Sequence, residues 1–242
     1  MADRARAGPT ATVQANEVRP GDGGCRRMTS AITPVAKFCS GTMSGASDTI
    51  KRMRLVLASA SLRRAELLRA AGFTFDVEPV DVDETPRPSE AAADYALRVA
   101  RDKAAAWRRQ SESGEGACVL AADTVVVVDG RILGKPSSRD QAREMLTLLS
   151  GATHLVHTGV VVHHDGREVA ELATTRVRFI DLSGSEIDWY LRSGEAEGKA
   201  GAYAIQGRAA RFVDWIEGSW SNVVGLPVAT VYRMLTGAGV LS

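Results

Sequence analysis

Cysteine is scarce in this sequence. The three present, Cys25, Cys39 and Cys118, match no zinc-ligand spacing, and an odd number does not build a disulfide framework. That usage fits a reducing compartment. Histidine is also rare, with four in 242 residues. His154 and His157 are three apart on a predicted strand and so face opposite sides; His163 and His164 fall at a predicted hairpin tip. No histidine metal cluster and no Ser-His-Asp arrangement emerges. Long apolar runs are missing too. None reaches the roughly 18 residues that a membrane helix needs, and no apolar stretch follows the basic N-terminus to make a secretion signal. Nor is there an excess of one charge: 30 Lys and Arg face 29 Asp and Glu, for a formal net charge of +1. No global field recruits nucleic acid or an anionic membrane. A polyanionic ligand has to be held by a local cluster.

The remaining composition, 45% hydrophobic and 24% charged, is that of a globular protein with a sizeable core. Residues 1–52 differ from the rest. Arg, Gly, Thr, Ser and Pro recur there without periodicity, which reads as a disordered extension. The domain is expected over residues 53–242. Met28, Met43 and Met53 are candidate translation starts, Met53 being the most economical; mass spectrometry of the native N-terminus distinguishes them.

From Arg54 the pattern becomes regular. Arg54 to Ala58 predicts a short buried strand, and Leu62 to Ala71 a helix stopped by Gly72. Phe73 to Val77 alternates as a strand. Ser89 is a candidate cap for a helix to Arg109. Ala117 to Val128 predicts a long apolar strand, with a hairpin signal at Asp129-Gly130. Ser138 with Gln141, and Ser183 with Glu186, have capping-box spacing for helices ending near Gly151 and Arg192. Thr153 to Val162 and Glu168 to Ile180 predict strands around Asp165-Gly166. Arg208 to Ile216 predicts another strand, and Pro227 the N1 position of a last helix to Leu235. Hairpins interrupt the alternation of helix and strand. An α/β fold with a mixed sheet flanked by helices follows.

Several residues could carry chemistry. Asp123 lies in an otherwise apolar strand, where a carboxylate costs several kcal/mol unless compensated. It is either a general base or metal ligand, or a strand-end carboxylate bonded to a neighbouring loop. Ser59, Arg63 and Arg64 surround a helix start, where backbone N–H groups and guanidiniums make an anion site. Lys103 falls on the apolar stripe set by Ala92, Ala96, Val99 and Ala106, and either snorkels outward or reaches into a cleft. Lys135 sits in a loop that superficially resembles a P-loop but lacks its spacing, with Pro136 at the Ser/Thr position. Asp81, Asp83 and Glu84 form an acidic loop, able to hold Mg²⁺ through carboxylates and substrate phosphates or simply solvated. Glu197 to Gly207 is rich in small residues, and its Gln206 offers a donor and an acceptor suited to a base edge. Together these residues suit a metal-bound polyphosphate without identifying the bond cut.

A run of motifs in order resembles the Maf family. It comprises Leu55-Val-Leu-Ala-Ser59-Ala-Ser61-Leu-Arg63-Arg64, Ala122-Asp123-Thr124-Val125, Gly134-Lys135-Pro136, Leu149-Ser150-Gly151, His154, Thr158-Gly159, Gly201-Ala202-Tyr203-Ala-Ile205-Gln206-Gly207 and Val224-Gly225-Leu226-Pro227. The resemblance implies an elongated, two-lobed α/β fold, similar to inosine triphosphatases, with a central cleft. It implies hydrolysis of a nucleoside triphosphate to monophosphate and pyrophosphate, with Mg²⁺ or Mn²⁺, in a cytoplasmic homodimer that binds neither nucleic acid nor membrane. By the same resemblance Asp123 is the proton acceptor and a metal ligand with Glu84. Lys103 and Lys135 join it as catalytic residues. Ser59, Arg63, Arg64, Thr124 and Gln206 bind substrate, with Arg63, Thr124 and Gln206 tied to substrate choice. The Gly-Ala-Tyr-x-Ile-Gln-Gly form is similar to the dTTP/UTP branch. The alternatives are the 7-methyl-GTP branch and a nucleotide-binding regulator of cell division with little turnover. Three positions depart from the family pattern: Leu62 replaces proline, Gly198 replaces aspartate, and Ala204 replaces glycine. Ala204 would crowd its loop if that backbone needed positive φ.

Overall fold

The computed structural model describes residues 53–111 and 116–241. The chain divides into Met1–Asp48 and Thr49–Ser242, and only the second unit contains described residues. The expected extension over residues 1–52, with its alternative starts Met28 and Met43, lies outside them.

Among the described residues seven strands form one mixed sheet in the order β2-β1-β3-β5-β6-β7, with β4 also paired to β3. Strand β1 (Arg54–Leu57) is parallel to β2 (Asp76–Val77) and to β3 (Ala117–Val128). The other pairings are antiparallel: β3 with β4 (Arg131–Leu133) and β5 (Thr153–His164), β5 with β6 (Arg167–Phe179), and β6 with β7 (Val213–Glu217). Asp129 and Gly130 turn the β3–β4 hairpin with φ of 49° and 73°. Asp165 and Gly166 do the same between β5 and β6, at 47° and 75°. Two consecutive positive φ values match the right-handed twist of the strands they join.

Among the described residues six α-helices flank the sheet: α1 (Leu62–Ala70), α2 (Ala92–Gln110), α3 (Arg139–Leu149), α4 (Gly184–Leu191), α5 (Trp220–Val224) and α6 (Val228–Gly237). Side-chain alternation along β3 assigns its two faces. Cys118, Leu120 and Ala122 pack with Leu68 of α1 and Val231 and Leu235 of α6. Val119 and Ala121 pack with Ala100, Ala104 and Trp107 of α2. A third apolar cluster joins α3 and α4 to the far half of β3 around Phe179, Tyr190 and Phe212.

Local expectations hold where capping chemistry decides. Gly72 follows α1 at φ 81°, and Ser183 with Glu186 forms a complete capping box. They fail where tertiary contacts decide. Ser89 does not cap α2; it sits at φ 59° in the preceding turn, and Ala91 is the N-cap. Gln141 gives its N–H to Ser138, but its side chain reaches back to Ser137 instead of closing the box. The predicted strand from Phe73 shrinks to Asp76–Val77. Arg208 to Phe212 is a 3₁₀ turn before β7, because Ala209 and Phe212 are drawn into the core. Pro227 is the N-cap of α6, one position earlier than N1.

Candidate active site

The site begins with a gap in the sheet. On one side β3 pairs with β5 along nearly its whole length. On the other it pairs with β1 only through Leu120 and with β4 only from Val126. Residues 121–125 therefore have one strand neighbour, and Asp123 and Thr124 lie inside this interval. The gap opens past the carboxyl end of β1, where parallel strands commonly receive ligands. Consecutive strand residues point to opposite faces, so Asp123 goes with α2 and Thr124 with α1.

On the α2 face a lysine holds two carboxylates together. Lys103 is buried at 7% exposure, and its Nζ lies 2.8 Å from Asp123 Oδ1 and 2.6 Å from Glu84 Oε1. The stripe position thus resolves inward. Asp123, also 7% exposed, is a paired buried charge, as the cost of an unpaired one requires. Lys135 reaches Glu84 Oε2 at 3.5 Å from a more exposed loop. Burial alone would raise the Glu84 pKa, but the Lys103 ammonium, with Lys135 behind it, outweighs burial and holds the carboxyl below its ordinary value.

Two residues to which the sequence assigned no role set this geometry. Tyr95 donates from its hydroxyl to the Glu84 carbonyl at 2.7 Å, tying the acidic loop to α2. Its signal was legible: Tyr95, Val99 and Lys103 recur every four residues on one helical stripe. Gly159, opposite Asp123 on β5, lets α2 approach closely; a Cβ there would lie 2.4 Å from the Ala96 carbonyl oxygen.

On the α1 face stands a buried guanidinium. Arg64 donates from Nε to the Gly225 carbonyl at 2.8 Å, from Nη1 to Ser59 Oγ at 3.0 Å and from Nη2 to Thr124 Oγ1 at 3.0 Å. All three acceptors are neutral. A guanidinium carries five N–H groups, so two remain for another acceptor. Burial pushes the Arg64 pKa down, with Asp123 partly opposing it. Arg63 is half-buried, and burial likewise lowers its pKa; its charge is felt at Tyr190 and Lys199.

The Gly201–Gly207 loop packs against the far half of β3. Gly201 lies against Val126 at φ 68°, and its N–H donates to the Gly134 carbonyl at 3.1 Å. Tyr203 is bonded through its hydroxyl to His154 Nε2 at 2.8 Å, and the Ala204 N–H donates to the Tyr190 hydroxyl at 3.0 Å. Gln206 is exposed. The departures from the family pattern are absorbed locally. Positive φ falls on Ala202, at 59°, instead of Ala204. Gly198 has open space where a side chain would be, and Leu62 is 77% exposed.

The structure thus brings Ser59, Arg64, Glu84, Lys103, Asp123, Thr124 and Lys135 into two linked networks. Asp81 and Asp83 do not join them. They line a surface pocket of about 310 Å³ with Arg87, Arg98, Asp102 and Arg109. Among the described residues no group of three or more His, Cys, Asp or Glu side chains could hold a metal by itself. Glu84 and Asp123 present carboxylate oxygens, the hard donor type that Mg²⁺ or Mn²⁺ takes, both of them in contact with Lys103. No helix among the described residues is long and apolar enough to cross a membrane.

A helix start carrying two arginines, beside a paired buried carboxylate at the open end of a parallel strand pair, makes an α/β architecture suited to phosphate. The chain belongs to the Maf family: the family's sequence profile, described as a Maf-like protein, matches residues 54–238. It is similar to the dTTP/UTP pyrophosphatase of Methylococcus capsulatus, with 51% identity over 187 residues, covering 77% of this chain and 92% of that protein. The dTTP/UTP pyrophosphatase of Bordetella parapertussis is 46% identical over 205 residues, covering 82% and 99%. A solved nucleoside-triphosphatase/dITP/XTP pyrophosphatase from Mycobacterium abscessus shares 16% identity at a TM-score of 0.38, covering 78% and 99%, too distant to bear on the chemistry.

Proposed function

We propose that the chain hydrolyses dTTP and UTP to the nucleoside monophosphate and pyrophosphate. The observation that carries this reading is the pairing of buried Asp123 with Lys103 and Glu84, across β3 from a guanidinium with only neutral partners. In this reading Arg64 and the α1 start hold phosphate oxygens through their unused N–H groups. Lys135, on its exposed loop, adds charge to the same chain of phosphates. Asp123 takes the proton of the attacking water. Lys103 holds that carboxylate in place through its 2.8 Å contact, and offsets negative charge developing on the phosphates. A divalent metal held by Glu84, Asp123 and the substrate would supply charge neutralisation on the leaving pyrophosphate. Arg63 and Gln206 govern which nucleotide is accepted, Gln206 through the base edge, and Thr124 contributes through the Arg64 guanidinium it holds. A homodimer and a cytoplasmic location belong to the same reading, as the family resemblance implies.

The test is pyrophosphate release from dTTP, UTP, CTP, GTP and 7-methyl-GTP, with and without Mg²⁺ or Mn²⁺. Metal-dependent release from dTTP and UTP is expected. Cleavage of 7-methyl-GTP alone would move the chain to the other branch. Binding without release from any of them would favour the regulator.

A further inference from the structure

The hydroxyl of Thr124 has three neighbours and no capacity left. Arg64 Nη2 donates to it at 3.0 Å. The Gly225 carbonyl lies 3.1 Å away and can only accept, so the Thr124 proton points there. The third neighbour, Thr158 Oγ1 at 2.9 Å, is then left with one role: it donates. A hydroxyl has one proton and two lone pairs, and all three are assigned. Thr158 is fully buried, on β5 directly opposite Thr124 in the sheet register. The Gly225 carbonyl also accepts from Arg64 Nε, so the network closes on itself.

We infer that Thr158 is a positioning residue. It acts through Thr124 to hold Arg64 and the Gly225 turn in place for an anionic ligand, and Thr124 influences substrate only through them. The inference rests on the proposed nucleotide reading for its ligand class, a polyphosphate. If Thr124 touched the nucleotide it would have to break one of its three contacts. Acting through Arg64, it affects every nucleoside triphosphate alike.

Thr158→Val keeps the side-chain shape and removes the donor; Thr158→Ser keeps the donor. With Thr158→Val the KM for dTTP and for UTP is expected to rise by the same factor, about fivefold, the size of one ordinary hydrogen bond. The kcat stays within about twofold, and Thr158→Ser restores the KM. An unchanged KM, or a change that differs between dTTP and UTP, would overturn the inference. Calorimetric titration with inorganic tripolyphosphate separates this from failure of the functional reading. A wild-type chain silent on both nucleotides sinks that reading, yet weaker tripolyphosphate binding by Thr158→Val still supports the positioning role. Equal binding by the two proteins, or none by either, refutes it. Should Thr158→Val fail to fold, Thr124→Val serves: an equal loss for dTTP and UTP is expected, and a shifted preference overturns the inference.

Discussion

At the Asp123 end of the candidate site, charged groups hold one another. At the Gln206 end, the loop is held by neutral hydroxyls and aromatic edges. The first end draws Lys103 from α2, Glu84 from a loop and Asp123 from β3 into contacts of 2.6–2.8 Å. The second rests on Tyr203 and Tyr190 and on a triangle of His154, Phe179 and Tyr203, whose ring centroids lie 4.9–5.4 Å apart. The difference follows from the work each end is proposed to do. Charge that develops on phosphate is met best by fixed charges. A neutral base is discriminated by hydrogen bonds on a firmly placed loop, where a buried charge would be costly. The two ends should therefore fail differently.

The largest effect is expected at the charged end. Asp123→Asn keeps the shape but removes the proton acceptor, so turnover should fall about a thousandfold, roughly 4 kcal/mol of barrier. Circular dichroism should still report a folded protein. Activity within a few-fold of wild type would remove Asp123 from the mechanism.

Acid should distinguish the ends by order of failure. Burial pushes the His154 pKa down to about 4. A histidine depressed in the folded state contributes stability that is complete above its unfolded pKa and is lost as pH falls toward the folded value. Between pH 6.5 and about 4 this should remove up to about 3 kcal/mol. The Glu84 carboxyl is held below its ordinary value, so its bridge to Lys103 should weaken only once pH has fallen below that ordinary value, after the His154 loss has begun. Urea denaturation across this range should show the loss, and His154→Phe should flatten it. A flat wild-type profile would separate His154 from acid stability.

Gly159→Ala probes how the charged end is assembled. Its Cβ would meet the Ala96 carbonyl oxygen at 2.4 Å, lifting α2 and with it Lys103. A loss of about 2 kcal/mol in stability is expected, with reduced turnover. Full activity with full stability would show that α2 is not held by this contact.

The smallest effect concerns the other end. Gln206→Glu removes a donor and adds a charge, so the preference for dTTP and UTP over CTP should shift about tenfold, with turnover of the best substrate little changed. An unaltered preference would take Gln206 out of specificity.

The elements that were legible are those written in local chemistry. The long apolar run of β3, both Asp-Gly hairpins and the Ser183-Glu186 box each depend on residues a few positions apart. The strand predicted from Arg208 to Ile216 begins only at Val213, because the 3₁₀ turn over Arg208–Phe212 answers to the core and not to alternation. Tyr95 could have been found from its spacing to Lys103. Thr158 and Gly225 stand in the family's motifs, but their bonds to Thr124 could not be found, since a buried threonine and a glycine carry no sign of a hydrogen bond to a residue 34 or 101 positions away.

The sequence by itself determined the mixed α/β class, the family, and the identity of the charged residues near the site, because periodicity, capping and residue type are local properties. The tertiary structure decided which way Lys103 points, which acid of the Asp81-Asp83-Glu84 group joins Asp123, and which neighbours saturate Thr124. Those outcomes depend on where β1 ends relative to β3 and on how closely α2 lies against β5. Both are set by packing between segments distant in the chain.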